Sequence, residues 1–137
     1  MKQLKTLNPQ TLKDLIGNEP NEIIQFRIRF LQQVQDNLKA LVTQFNHDQF
    51  DEIKENAHFL KTSAKAIGAE VTADLLQQLE ICALNQQKKR CKFLIKSITD
   101  EIKLVYQECK LWVQNQDLHQ GIQKLFFYTR IKKIRTV

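Results

Sequence analysis

Apolar residues recur every three or four positions up to residue 113 without alternating at period two, so the pattern predicts helices there, while the run LFFYTRIKKIRTV beyond Gly121 fits a short amphipathic helix, a strand-like segment or disorder. A short first helix is expected after Asn8 as N-cap, with Pro9 at its first position, one apolar turn of Leu12, Leu15 and Ile16, and a stop at Gly17. A long second helix is expected to start near Pro20 or Asn21. Its stripe runs through Ile23, Ile24, Phe30, Leu31, Val34, Leu38, Leu41, Val42 and Phe45, with Arg27 as the single gap. Asn46, His47 and Asp48 form a polar break, and Asp48 is the expected cap of the third helix. That helix has the most regular spacing: Phe50, Ile53, Ala57, Leu60, Ala64 and Ile67, ending at Gly68. A fourth carries Val71, Leu75, Leu76, Leu79, Cys82 and Ala83, and residues 85–90 read as a polar, basic turn. A fifth carries Cys91, Leu94, Ile95, Ile98, Ile102, Val105, Cys109, Trp112 and Val113. Four long helices with short links predict an all-α fold, an up-down antiparallel four-helix bundle with a short N-terminal capping helix.

Composition narrows the function classes. The 137 residues suffice for one core, and only three Gly and two Pro interrupt them. No apolar run approaches the roughly 20 residues that span a bilayer, and the first ten residues lack an apolar signal-peptide core. Cys82, Cys91 and Cys109 show no CxxC spacing and are expected to be reduced core cysteines of a cytoplasmic protein. Glycine-rich phosphate loops and the HExxH zinc signature are absent, so the sequence offers no support for nucleotide, ATP or metal chemistry, and no cofactor is expected.

The net charge of +6 is uneven. Lys124, Arg130, Lys132, Lys133 and Arg135 lie in residues 118–137, which hold no acid. Of the 21 Lys and Arg, 16 therefore remain before the tail, against all 15 acids. The nearly neutral first 117 residues are expected to be the domain and the rest a basic C-terminal tail, which argues against a nucleic-acid-binding body.

The opposite face of the third helix carries the chemistry. At about 100° per residue, its apolar sector is centred roughly 130° from His58, which places the imidazole off the core stripe. Lys54, Lys61, Thr62 and Lys65 fall within roughly 60° of it on the same face. An unperturbed imidazole titrates near about 6.5, so at neutral pH one ring nitrogen is available as a nucleophile. Phosphoryl transfer needs in-line placement and positive charge beside the equatorial oxygens, which Lys61, one turn along, is placed to supply. Lys65 adds positive potential for an acidic partner. Taken on helix geometry alone, a solvated face with an incidental histidine explains the same residues.

The run HFLKTSAKAIGA resembles the signature of histidine-containing phosphotransfer (HPt) domains through His58, Leu60, Lys61, Ser63, Ala64, Ile67 and Gly68, with Leu79 and Glu80 matching a later element. The resemblance extends over roughly residues 8–116 in the number, order and length of helices. It implies that His58 is the phosphoacceptor through Nε2, that Lys61 is the phosphate-side cation, and that Glu80 hydrogen-bonds the other ring nitrogen. It further implies that an aspartate of a receiver domain donates and accepts the phosphoryl group, with the receiver supplying its own carboxylates and Mg²⁺. The chain departs from the pattern at Thr62, where the family usually has glycine that lets a receiver approach closely; either the Thr62 hydroxyl contacts the phosphoryl group or its bulk narrows the set of partners. Phe59, about 100° around the helix from His58, is a packing residue or an apolar contact for a docked partner.

The expected function is thus a phosphocarrier, not an enzyme, relaying a phosphoryl group between receiver domains of a hybrid sensor kinase or response regulator, with no small-molecule substrate. It would be a stand-alone protein or a piece of a hybrid kinase. The competing reading is a helical protein-interaction module without phosphotransfer. For the tail, packing back on the bundle competes with contact to a membrane surface or nucleic acid.

Overall fold

In the computed structural model, residues 3–115 are described and form five helices: α1 (Pro9–Ile16), α2 (Pro20–Asn46), α3 (Phe50–Ile67), α4 (Glu70–Leu84) and α5 (Lys88–Asn115). The basic tail expected at 118–137 lies outside the described residues. Helices α2 to α5 close into an antiparallel ring in which α2 meets α3, α3 meets α4, α4 meets α5 and α5 returns to α2; α1 packs on α2 and α3 at one end. The all-α bundle with a short capping helix is as the periodicity predicts.

The core is the sum of the predicted stripes. Leu31, Val34, Leu38 and Leu41 of α2, Ile53, Ala57, Leu60 and Ala64 of α3, Leu76 and Leu79 of α4, and Ile95, Ile98, Ile102 and Val105 of α5 are fully buried. Burying a branched aliphatic side chain stabilises by about 1.5–3 kcal/mol, so these stripes dominate the folding energy.

Several local expectations fail for identifiable reasons. Arg27, the gap in the α2 stripe, is inside: its side chain is 2% exposed, and its guanidinium lies 4.8 Å over the Trp112 ring of α5. Burial pulls its pKa below the usual arginine value, opposed by Cys109 and Glu108. Its Nε and Nη1 have no hydrogen-bond partner among the described residues. On α1, Leu15 is exposed and Leu12 alone is buried. Asp48 does not cap α3. It sits at φ 54°, its carboxylate pairs with Lys88, and Gln49 occupies the N-cap position without a side-chain cap bond. The polar turn before α5 is only residues 85–87, because the basic run Lys88–Arg90 already belongs to the helix. In α4 the buried positions include Thr72 and Ala73, while Val71 is only half-buried.

Of the two glycines among the described residues, Gly68 is the one whose lack of a side chain the packing requires. It ends α3 in the left-handed region at φ 84°, and a Cβ there would stand 2.5 Å from the Asn8 carbonyl oxygen. The Asn8 amide donates to the Gly68 carbonyl at 2.8 Å, stitching the start of α1 onto the α3–α4 corner. Asn8 also caps α1 through a 3.0 Å bond from the Gln10 amide. This corner fixes the short α3–α4 link, and that link sets the register in which the two helices face each other across the site.

Candidate functional site

His58 and Lys61 are one turn apart on α3, and Glu80 comes from the facing stretch of α4. The imidazole is 62% exposed, as the helical angle requires of a residue opposite the core stripe. Lys61, nearer the α3–α4 seam, is 14% exposed and Glu80 24% exposed. Glu80 engages both neighbours: one carboxylate oxygen lies 2.9 Å from His58 Nδ1 and the other accepts from Lys61 Nζ at 2.8 Å. Lys61 Nζ also reaches Gln77 Oε1, one turn earlier on α4, at 3.4 Å.

This geometry has direct chemical consequences. An ionised carboxylate only accepts, so Nδ1 carries the proton, and in the neutral ring the lone pair resides on Nε2. Burial alone would raise the Glu80 pKa, but the hydrogen bonds and positive charge of Lys61 and His58 outweigh it and hold it below the usual carboxylate range. The carboxylate is therefore ionised at neutral pH. Lys61 has three donors, and two of them point at Glu80 and Gln77.

Lys54, Glu55, His58, Lys61, Gln77, Glu80, Ile81 and Leu84 line one shallow groove between α3 and α4. The groove joins the two lysines to a wall formed by Ile81 and Leu84, both exposed. The other residues singled out on α3 sit elsewhere. Lys65 borders a second hollow with Leu4, Thr11 and Gly68, into which Gln77 also extends. Phe59 is 55% exposed and faces a third hollow beside Gln44, Asp51 and Asn56, on the α2 side of the helix. Thr62 is exposed, and its hydroxyl donates to the His58 carbonyl at 3.4 Å, a bond along its own helix.

The structure thus brings together His58, Lys61, Glu80 and Lys54, and leaves Phe59 and Lys65 on neighbouring surfaces. Sequence reasoning missed Gln77. The available signal was its place three residues before Glu80, which puts both polar heads on one face of α4. It also missed Ile81 and Leu84, which lie off the predicted α4 stripe and gain a role only from the groove beside them. Among the described residues, no group of His, Cys, Asp and Glu is arranged to hold a metal ion, and no helix is long and apolar enough to cross a membrane.

Neither the curated proteins nor the solved structures give a match to this chain. The family model for the Hpt domain matches residues 25–108, a span that runs from the first turns of α2 to near the end of α5 and contains the α3–α4 groove. With well over half of the sequence covered by that model and an all-helical bundle of the expected order beneath it, the chain belongs to the Hpt domain family.

Proposed function

We propose that His58 is the residue of this chain that carries a phosphoryl group, that it accepts the group from a receiver-domain aspartate, and that it returns it to another. Hpt domains in general are phosphocarriers of phosphorelays. The observation that carries this reading is the Glu80 carboxylate holding His58 Nδ1 at 2.9 Å while the ring stays largely exposed. In that state Nε2 attacks phosphorus in line as the P–O bond to the aspartate breaks. The aspartate leaves as a carboxylate, and the ring retains the Nδ1 proton. Glu80 stabilises the positive charge that develops on the ring. Lys61 is a positioning and charge-stabilising group: its third donor turns to an equatorial oxygen while Glu80 and Gln77 keep the ammonium in place. The same carboxylate thus orients nucleophile and cation together.

Lys54 and Thr62 on α3, with Ile81 and Leu84 across the groove, form the surface nearest the ring and are the proposed receiver contacts. Lys65 and Phe59 extend that surface to either side. The Thr62 hydroxyl donates along its own helix at 3.4 Å, which supports the reading that Thr62 acts on docking through its bulk.

The test is incubation with receiver domains carrying radiolabelled phosphate. Wild-type protein should gain label that is lost in acid and stable in base, and His58→Gln should gain none. Label that survives acid, or that persists in His58→Gln, would overturn the assignment. Absence of transfer from a broad receiver panel, with the fold intact, would favour the interaction-module reading.

A further inference from the structure

Three cysteines are buried among the described residues, and two of them meet. Cys82 is in the last turn of α4 and Cys91 in the first full turn of α5, on either side of the 85–87 link. Their sulfur atoms are 3.4 Å apart, with the Cys91 thiol directed at Cys82 Sγ. The Cys82 thiol donates in turn to the Gln87 carbonyl at 3.2 Å. Cys109 belongs to a different layer, near Arg27 and Glu108. Ordinary core packing needs no sulfur-to-sulfur hydrogen bond, and an aliphatic pair would fill the same space without polar atoms.

From this juxtaposition we propose that Cys82 and Cys91 are an oxidation site: a hydroperoxide converts them to a disulfide that locks the α4–α5 hairpin. The bond length to be reached is about 2.05 Å, so the sulfurs close by little more than an ångström, a movement within the reach of side-chain torsions and a small shift at a helix end. In the first step Cys82 sulfur attacks the peroxide, the O–O bond breaks, and sulfenic acid forms with release of water or alcohol. In the second, Cys91 sulfur attacks Cys82 sulfur, the S–O bond breaks, and the Cys91 proton leaves with the hydroxyl as water. Two thiols are oxidised by two electrons and one peroxide is reduced.

Burial, followed by the hydrogen bond and charge of Cys82, raises the pKa of the Cys91 thiol, so it enters the second step with its proton. Cys82 lies in the last turn of α4, next to the 85–87 link. Ile81 and Leu84, which line the His58 groove, flank Cys82 in the chain, so the crosslink ties the groove's α4 wall to α5. A disulfide across so short a loop stabilises by restricting the unfolded chain.

The experiment uses the full-length folded protein treated with hydrogen peroxide, quenched, denatured and alkylated. Untreated protein should take three alkyl groups and treated protein one, with a mass loss of two hydrogens and a peptide crosslink between residues 82 and 91. The melting temperature should rise on oxidation and return on adding dithiothreitol. Cys109→Ala should keep the crosslink and the rise, whereas Cys82→Ala and Cys91→Ala should each lose both. Three alkylated thiols after prolonged treatment would overturn the proposal. So would a crosslink that includes Cys109 or a second chain, addition of oxygen without a crosslink, or a crosslink that leaves the melting temperature unchanged.

Discussion

Replacing Glu80 separates two jobs that one carboxylate performs. Glu80→Ala removes both the 2.9 Å contact to His58 Nδ1 and the 2.8 Å contact to Lys61. The imidazole then samples both tautomers and several rotamers, and only part of that population presents an unprotonated Nε2 in line. Loss of the partner that orients a metal-ligating histidine costs about 10–100-fold in activity; an effect of the same size is expected here, or about 1.4–2.7 kcal/mol of transition-state stabilisation. The effect on folding is smaller. Both partners of the Lys61–Glu80 pair are partly exposed, so solvent screening limits its contribution to about 1 kcal/mol or less. Glu80→Gln should behave differently. Its amide oxygen can still accept from Nδ1, while its NH₂ faces the Lys61 ammonium and gives that side chain no anchor, so transfer should fall by only about 3–10-fold. The assay is single-turnover phosphoryl acceptance at matched concentrations of a phosphorylated receiver. Equal rates for wild type and Glu80→Ala, with both proteins folded, would show that the carboxylate orients nothing that matters. A Glu80→Gln variant as slow as Glu80→Ala would show that charge, not ring orientation, is its contribution. The pH dependence has a definite sign. The Glu80 pKa is lowered in the fold, so its stabilisation is complete above the unfolded carboxylate value of about 4.3 and is lost as pH falls through the depressed one. Acid melting curves of wild type and Glu80→Gln should therefore converge at low pH.

Lys61→Ala should slow phosphoryl acceptance by about 100-fold, comparable to loss of one transition-state donor, and an unchanged rate at matched stability would reduce Lys61 to a surface charge. Thr62→Gly should speed acceptance from non-cognate receivers by removing bulk beside His58, while lowering stability by up to about 1 kcal/mol for glycine inside a helix; identical rates across several receivers would show that position 62 does not meet the partner. Gly68→Ala should cost about 2–3 kcal/mol in urea denaturation, since the new methyl group needs a left-handed backbone and collides with the Asn8 carbonyl, and a wild-type midpoint would mean that the α1 corner yields without cost. Arg27→Met should keep or raise the melting temperature, because desolvating two guanidinium nitrogens that have no partner among the described residues costs about 1–3 kcal/mol each against about 2 kcal/mol for a buried cation–π contact; a clear drop would show that the Trp112 contact dominates.

What the sequence determined by itself is what one helix can express through its own period. The apolar stripes of α2, α3 and α5 follow directly from three-four spacing, and the end of α3 follows from a glycine. The angle of His58 relative to the stripe on its own helix is a matter of arithmetic, as is the one-turn step to Lys61. Where the sequence misled, a residue's fate depended on a neighbour. Arg27 reads as a polar gap because nothing in α2 reveals that Trp112 will lie beneath it. Asp48 reads as a cap because its pairing with Lys88 joins the two ends of distant helices. Ile81 and Leu84 stand off the α4 stripe, yet they become a groove wall only through the approach of α3 and α4, which meet at the Gly68 corner. The contact of Glu80 with His58 is implied by the family resemblance, but the second contact, to Lys61, and the geometry of both are tertiary facts. The helical period can place each side chain on a face, but hydrogen bonds extend about 3 Å and do not act across a solvated gap. Only the packing of α4 against α3 brings that carboxylate within reach of both partners.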